Sequence, residues 1–88
     1  MKDDLRNSLD RLHQKLNSTK NLDESSRDAL LKIKKDIEVL LEKKEREKEE
    51  EEGMMNNLKA SAEKFEATHP ELSESIHIVI HTLSNMGI

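Results

Sequence analysis

Hydrophobic residues in the N-terminal half of this chain follow the three- and four-residue spacing of amphipathic helices. One stripe consists of Leu5, Leu9, Leu12 and Leu16, and a second consists of Leu30, Ile33, Ile37 and Leu40. The two stripes predict helices over about residues 2–17 and 24–51. The turn-forming segment NSTKNLD joins them, and its Asp23 is a suitable N-cap for the second helix. A connection this short predicts an antiparallel helical hairpin.

A highly charged segment, EKKEREKEEEEG, follows the second stripe. It favours a solvated extension of the second helix that frays at its end, where acidic residues oppose the helix dipole. The alternative interpretation is an acidic docking patch for a basic partner. Gly53 can end a helix, so we predict a break at residues 53–56 and a charged hinge over about residues 42–55.

The hydrophobic spacing resumes in the C-terminal half and predicts helices over about residues 56–67 and 70–86. This third stripe consists of Leu58, Ala62, Phe65, Leu72, Ile76, Val79, Leu83 and Met86. The segment ATHPE separates the two helices. Pro70 suits the first turn of a helix, while Thr68 and Glu71 have the spacing of a capping box. Both features predict that a new helix starts here.

Together these segments predict an all-α protein with one domain over residues 1–88. One row of apolar residues keeps the same heptad position along the whole chain. The second apolar row lies three residues after it in the N-terminal half and four residues after it beyond Gly53, so we expect the two halves to present differently oriented faces. A chain of this length buries only roughly 60–65% of the surface that it exposes when unfolded. We therefore expect the hairpins to assemble into a helical bundle or a coiled-coil-like homo-oligomer, a dimer or a tetramer. The predicted core or oligomer seam consists of Leu9, Leu12, Leu16, Leu30, Ile33, Ile37, Leu40, Leu58, Phe65, Leu72, Ile76, Val79, Leu83 and Met86.

Composition narrows the range of partners. Of the 88 residues, 33% are hydrophobic and 39% are charged, the net charge is -4, and the chain contains one aromatic residue and no cysteine. The negative charge and the lack of stacking side chains argue against nucleic acid as a partner and make a membrane surface an unfavourable one. The absence of cysteine and of an apolar leader segment suits a cytoplasmic protein.

Few residues are candidates for chemistry. We find no nucleophile with a base and an orienting group and no glycine-rich phosphate loop, so we expect neither enzymatic activity nor a cofactor. Glu74, His77 and His81 have helical spacing that could present three ligands to a divalent metal, although a polar stripe on a helix is the commoner explanation. His69, beside Pro70, is expected to act structurally, as a cap or a seam residue.

The pattern therefore favours a small oligomeric protein-interaction or regulatory module, with an unidentified protein as a further partner. Two alternatives remain open. One is a metal-binding helical protein that uses Glu74, His77 and His81. The other is a membrane-surface protein that inserts its apolar C-terminal helix. This alternative rests on the cluster of Ile76, Ile78, Val79, Ile80 and Leu83.

The order of these features also resembles a family of short bacterial proteins known only as a domain of unknown function. The resemblance covers nearly the whole chain. Its most specific parts are Phe65-Glu66-Ala67, His69-Pro70 and the terminal Asn85-Met86-Gly87-Ile88. The four consecutive glutamates in the charged segment are more acidic than the family pattern. The resemblance implies a bacterial, cytoplasmic, helical protein with no assigned activity and no catalytic residues to carry over.

Overall fold

Four α-helices make up the part of the chain that the structure describes, residues 2–43, 45 and 47–88 of a computed structural model. They are α1 (Lys2–Ser18), α2 (Glu24–Glu42), α3 (Lys48–Phe65) and α4 (Pro70–Asn85). These described residues contain no strand. The Cα radius of gyration is 12.5 Å, close to the roughly 12 Å expected for a folded chain of this length. The prediction of an all-α protein is confirmed.

Helix α4 is the central element because it packs against both α1 and α3. Helix α2 packs mainly against α3 and touches α1 least. Helix α1 runs antiparallel to α4, and α2 runs antiparallel to α3. Lys15 near the end of α1 lies 3.8 Å from Glu71 at the start of α4, and Lys43 after α2 forms a 2.8 Å ion pair with Glu50 at the start of α3. The helices form an up-and-down arrangement. The pair α1 and α2, for which the hairpin was predicted, is the least tightly packed of its neighbouring pairs.

The predicted break at residues 53–56 is wrong. Helix α2 already ends at Glu42, and α3 begins at Lys48 and continues through Gly53. Lys43 and Glu47, which flank the connection, have extended backbone conformations. Lys44 and Arg46 of the predicted hinge lie outside the described residues.

The acidic residues that follow the connection explain why the break between α2 and α3 lies before them and not at residues 53–56. Glu49, Glu50 and Glu51 form the first turn of α3, where the helix dipole stabilises negative charge instead of opposing it. The next turn carries Met54 and Met55, which are both buried in the core. A helix that continued from α2 to the end of α3 would be about 63 Å long, whereas the longest dimension of the molecule is 39 Å. Because the helix is interrupted before the acidic run, both methionines can reach the core.

The remaining helix ends lie within about two residues of their predicted positions. Asp23 is the N-cap of α2 as predicted, although its carboxylate makes no capping hydrogen bond. The nearby Ser26 side chain lowers the pKa of that carboxyl, and Lys64 lowers it further. The capping box of Thr68 and Glu71 is not formed, because His69 occupies the N-cap of α4 and Pro70 its first turn.

Helix α4 ends in a Schellman motif built by the terminal residues. The Ile88 amide donates to the Leu83 carbonyl and the Gly87 amide donates to the Ser84 carbonyl, each at 3.1 Å. Gly87 has a φ of +86°, a conformation that glycine adopts without the strain of a Cβ atom. The Ile88 side chain packs against the core, as the hydrophobic contact of this motif requires.

A single chain buries most of the residues predicted for the seam. All of them except Ile33 and Met86 are buried, and these two are half-buried and pack against the same core. Leu5, Ala62 and the two methionines complete the core. A second copy of the chain is therefore not required to cover these residues, and any partner must bind elsewhere.

We expect the same substitution, glycine to alanine, to have opposite effects at the two glycines. Gly53→Ala should stabilise the protein by about 1 kcal/mol, because Gly53 lies inside a helix and an added Cβ would meet no atom within 4 Å. Gly87→Ala should destabilise it by about 1 kcal/mol, because alanine is strained at a positive φ. Urea unfolding of both variants measures the effect. A loss of stability in Gly53→Ala would contradict the continuous α3.

Candidate interaction surface

The side of α2 that faces away from the core retains apolar surface. Leu31 and Val39 are the exposed large hydrophobic residues among those described, with 37% and 49% of their surface accessible. Ile33 and Leu41 on the same helix are only half-buried. This distribution arises because α2 packs mainly against α3 and makes little contact with α1. Helix α2 is therefore the least covered apolar helix of the molecule.

A groove of about 440 Å³ runs between α2 and α3. Ile33, Asp36 and Val39 line it on the α2 side, and Gly53 and Asn57 line it on the α3 side. The ion pair between Lys43 and Glu50 crosses one end. Because Gly53 has no side chain, the low wall of the groove on the α3 side is formed here by backbone alone. The groove thus combines an apolar edge with charges of both signs.

Four exposed residues of α2 form a line that enters this groove at Asp36 and Val39, and we call them the outer stripe. They are Ala29, Lys32, Asp36 and Val39. Each precedes a residue of the core-facing stripe by one position, so the outer stripe has the same alternating three- and four-residue spacing. It therefore follows a straight line along α2 that a second helix could pack against.

The two charged members of the outer stripe have no ion-pair partner in the described part of the chain. Lys32 and Asp36 are four residues apart, yet no ion pair joins them. On the adjacent face of α2, Lys34 and Glu38 do form such a pair, at 3.5 Å. The outer stripe thus presents one positive and one negative charge that are both available to an external partner.

The three residues considered as metal ligands lie on the exposed side of α4. Glu74, His77 and His81 all face solvent. Among the residues that the structure describes, no group of three or more His, Asp or Glu side chains is arranged to hold a metal ion. The spacing of these residues on one helix therefore does not by itself create a chelating cluster.

His69 lies at the junction between α3 and α4. Its carbonyl accepts hydrogen bonds from the Leu72 and Ser73 amides at 3.0 and 3.1 Å. Its ring meets the Phe65 ring edge-on, with the centroids 6.0 Å apart, and its Nδ1 lies 3.1 Å from the Thr68 hydroxyl. These contacts are those of a residue that starts a helix and packs against the core, as predicted for His69.

Four hydroxyl groups in or near the core donate hydrogen bonds to backbone carbonyls. Ser73 of α4 donates to the Ala62 carbonyl of α3 at 2.8 Å and joins these two helices. Ser8, Ser75 and Thr82 donate to carbonyl groups of their own helices. None of these hydroxyls is paired with a basic side chain in the described structure.

The imidazole Nδ1 of His13 is buried without a hydrogen-bond partner among the described residues.

The apolar residues of the C-terminal helix belong largely to the core. Ile76, Val79 and Leu83 are fully buried, while Ile78 and Ile80 are half-buried. Insertion of this helix into a membrane surface would require the bundle to open. In the described residues, no helix combines the length and the apolar character that crossing a membrane requires.

The fold and the surface define a small all-α protein, with four helices in its described residues and an uncovered face on α2. The chain belongs to the family described as a domain of unknown function, DUF4404, whose family model matches residues 5–88. The family membership expected from the sequence is thus confirmed. No curated protein and no solved structure matches the chain.

Sequence inspection missed the outer stripe, although the signal was present. Val39 and Ala29 are the apolar members of a line that includes Lys32 and Asp36. The stronger line of leucine and isoleucine next to it is sufficient to predict the helix, and it masks the second line. A search of each helix for a second three-four line would have found it.

Proposed function

We propose that this protein is a cytoplasmic, non-catalytic interaction module that associates with a second copy of itself through the uncovered face of α2. The observation that carries the proposal is the exposure of Val39 beside the groove between α2 and α3. When a partner covers an apolar side chain at the edge of an open groove, the removal of apolar surface from water favours association.

A second copy of the chain fits this face better than a partner of uniform charge. The surface carries Lys32, Lys35 and Lys43 together with Asp36 and Glu50. In a two-fold symmetric interface the same surface meets itself, so positive and negative groups on one copy can face their opposites on the other. A strongly basic partner would leave the lysines unpaired, and a strongly acidic partner would leave the carboxylates unpaired.

The acidic run is better explained as part of the fold than as a docking patch. Glu49 to Glu51 form the first turn of α3 and stabilise it through the helix dipole. The hydroxyl groups that donate to backbone carbonyls are not activated as nucleophiles. The engagement of these hydroxyls supports the proposal of a non-catalytic role.

We expect Val39→Asp to weaken self-association by about tenfold or more and to leave the chain folded. A charge on the apolar edge of the groove would have to be desolvated in the dimer. The mass measured by sedimentation over a range of concentrations reports association, and circular dichroism reports folding.

Leu31→Asp is the matched control, because it places the same charge on an exposed apolar position of the same helix outside the groove. We expect it to keep the association of the unsubstituted chain. A chain that is monomeric at millimolar concentration, or equal weakening by both variants, would contradict self-association through the groove side of α2.

A further inference from the structure

We infer that two copies pair through α2 in antiparallel orientation, so that Lys32 of each faces the partner's Asp36. This inference rests on the proposed function and specifies its geometry. The two-fold axis would pass beside α2 between Lys32 and Asp36. Two identical ion pairs would then lie at the centre of the interface, one on each side of the axis.

The spacing of the outer stripe determines which residues face one another. Its members, Ala29, Lys32, Asp36 and Val39, alternate in steps of three, four and three residues. This is the spacing with which one helix can follow another through successive layers of side chains. If two such helices run antiparallel with Lys32 opposite the partner's Asp36, then Ala29 lies opposite the partner's Val39. Each layer thus combines a small with a larger apolar residue or a positive with a negative charge.

The parallel arrangement of the same stripe is unfavourable. It would place Lys32 against the partner's Lys32 and Asp36 against the partner's Asp36. Like charges that face each other across an interface oppose association. Because Lys32 and Asp36 have no ion pair within the described part of their own chain, forming the antiparallel pairs breaks no existing one. The charges therefore select the orientation.

The size of this interface indicates a reversible dimer. One helix pair alone buries less than the roughly 1,200–2,000 Å² of a typical stable complex. The low α3 wall at Gly53 and Asn57 leaves room for the edge of the partner's helix beside Val39. We therefore expect the dimer to form and dissociate with concentration instead of being permanent.

Charge reversal tests the pairing directly. Lys32→Asp and Asp36→Lys should each weaken the dimer by about tenfold, since each creates two like-charge contacts. The double variant Lys32→Asp/Asp36→Lys should restore the dissociation constant to within about threefold, because the opposite charges face each other again. An equimolar mixture of the two single variants should also form a dimer, with one copy of each. Lys59→Asp, an exposed reversal on α3 away from the groove, is the control and should have no effect.

Crosslinking tests the orientation separately, and the natural absence of cysteine simplifies the experiment. Under mild oxidation, a mixture of Ala29→Cys and Val39→Cys chains should form a disulfide between copies, because these positions face each other in the antiparallel dimer. Ala29→Cys alone should not. Efficient crosslinking of Ala29→Cys to itself would overturn the antiparallel orientation.

The outcomes separate this inference from the proposed function. If Val39→Asp dissociates the dimer but the charge reversals change nothing, self-association stands and the pairing of Lys32 with the partner's Asp36 is wrong. If the double variant dimerises no more tightly than the single variant with the lower affinity, the pairing is also wrong. If neither Val39→Asp nor the charge reversals affects the mass, both proposals fail.

Discussion

Val79→Asp is expected to unfold the protein. Val79 is fully buried in α4, the helix that packs against both α1 and α3. A carboxylate at this position would lose its hydration without gaining a partner, which costs several kcal/mol. The stability of small domains is only about 5–15 kcal/mol, so a large part of it would be lost. Because α4 lies between α1 and α3, its loosening would expose the core on two sides.

Circular dichroism and thermal unfolding measure this effect, and His77→Asp provides the control. It places the same carboxylate two residues away on the same helix, where the side chain faces solvent. We expect the control to change the free energy of unfolding by less than about 0.5 kcal/mol. If Val79→Asp melted at the same temperature as His77→Asp, the assignment of Val79 to the core would be incorrect.

The sequence predicts the helices because their stripes are strongly periodic. The spacing of Leu5, Leu9, Leu12 and Leu16 is compatible with an α-helix and with little else. The end of the C-terminal helix is equally well specified, since Gly87 supplies the positive φ that the Schellman motif needs. These features are local, so each can be recognised without knowledge of the rest of the fold.

The break between α2 and α3 could not be placed in the same way. A charged run is compatible with helix on both sides, and Gly53 is the most conspicuous helix breaker in the segment. The position of the break depends on a long-range requirement, namely that Met54 and Met55 reach the core. The acidic residues then meet the start of a helix instead of its end, and the helix dipole changes from opposing them to stabilising them.

The candidate surface depends on long-range packing for the same reason. Ile37 and Val39 are both apolar residues of one helix, and the sequence does not show directly which of them a neighbouring helix covers. Ile37 is fully buried, whereas about half of the Val39 surface is accessible. The expectation of an oligomer came from the limited surface that so short a chain can bury, and self-association stays a proposal. Its location on α2 follows only from the way in which α3 and α1 pack.

Phe65→Ala is expected to destabilise the protein by about 3–5 kcal/mol. Phe65 is the single aromatic residue of the chain and is 4% exposed. Its ring meets the His69 ring edge-on, and the Nζ of Lys64 lies 5.6 Å from the ring centroid. Truncation would leave a cavity where α3 turns into α4, and it would also remove the support for the residue that caps α4.

Phe65→Leu distinguishes the loss of packing from the loss of the aromatic contact. Leucine fills much of the cavity, so we expect a smaller loss of roughly 1.5 kcal/mol in urea unfolding. Both variants remove the edge-on contact, and both should therefore shift the NMR signals of the His69 ring by a similar amount. Equal destabilisation by the two substitutions would show that the aromatic contact matters more than the filled volume. A small loss in both would contradict the burial of Phe65. The expected order, a severe effect of alanine and a mild effect of leucine, would make Phe65 the residue whose volume holds the α3–α4 junction against the core.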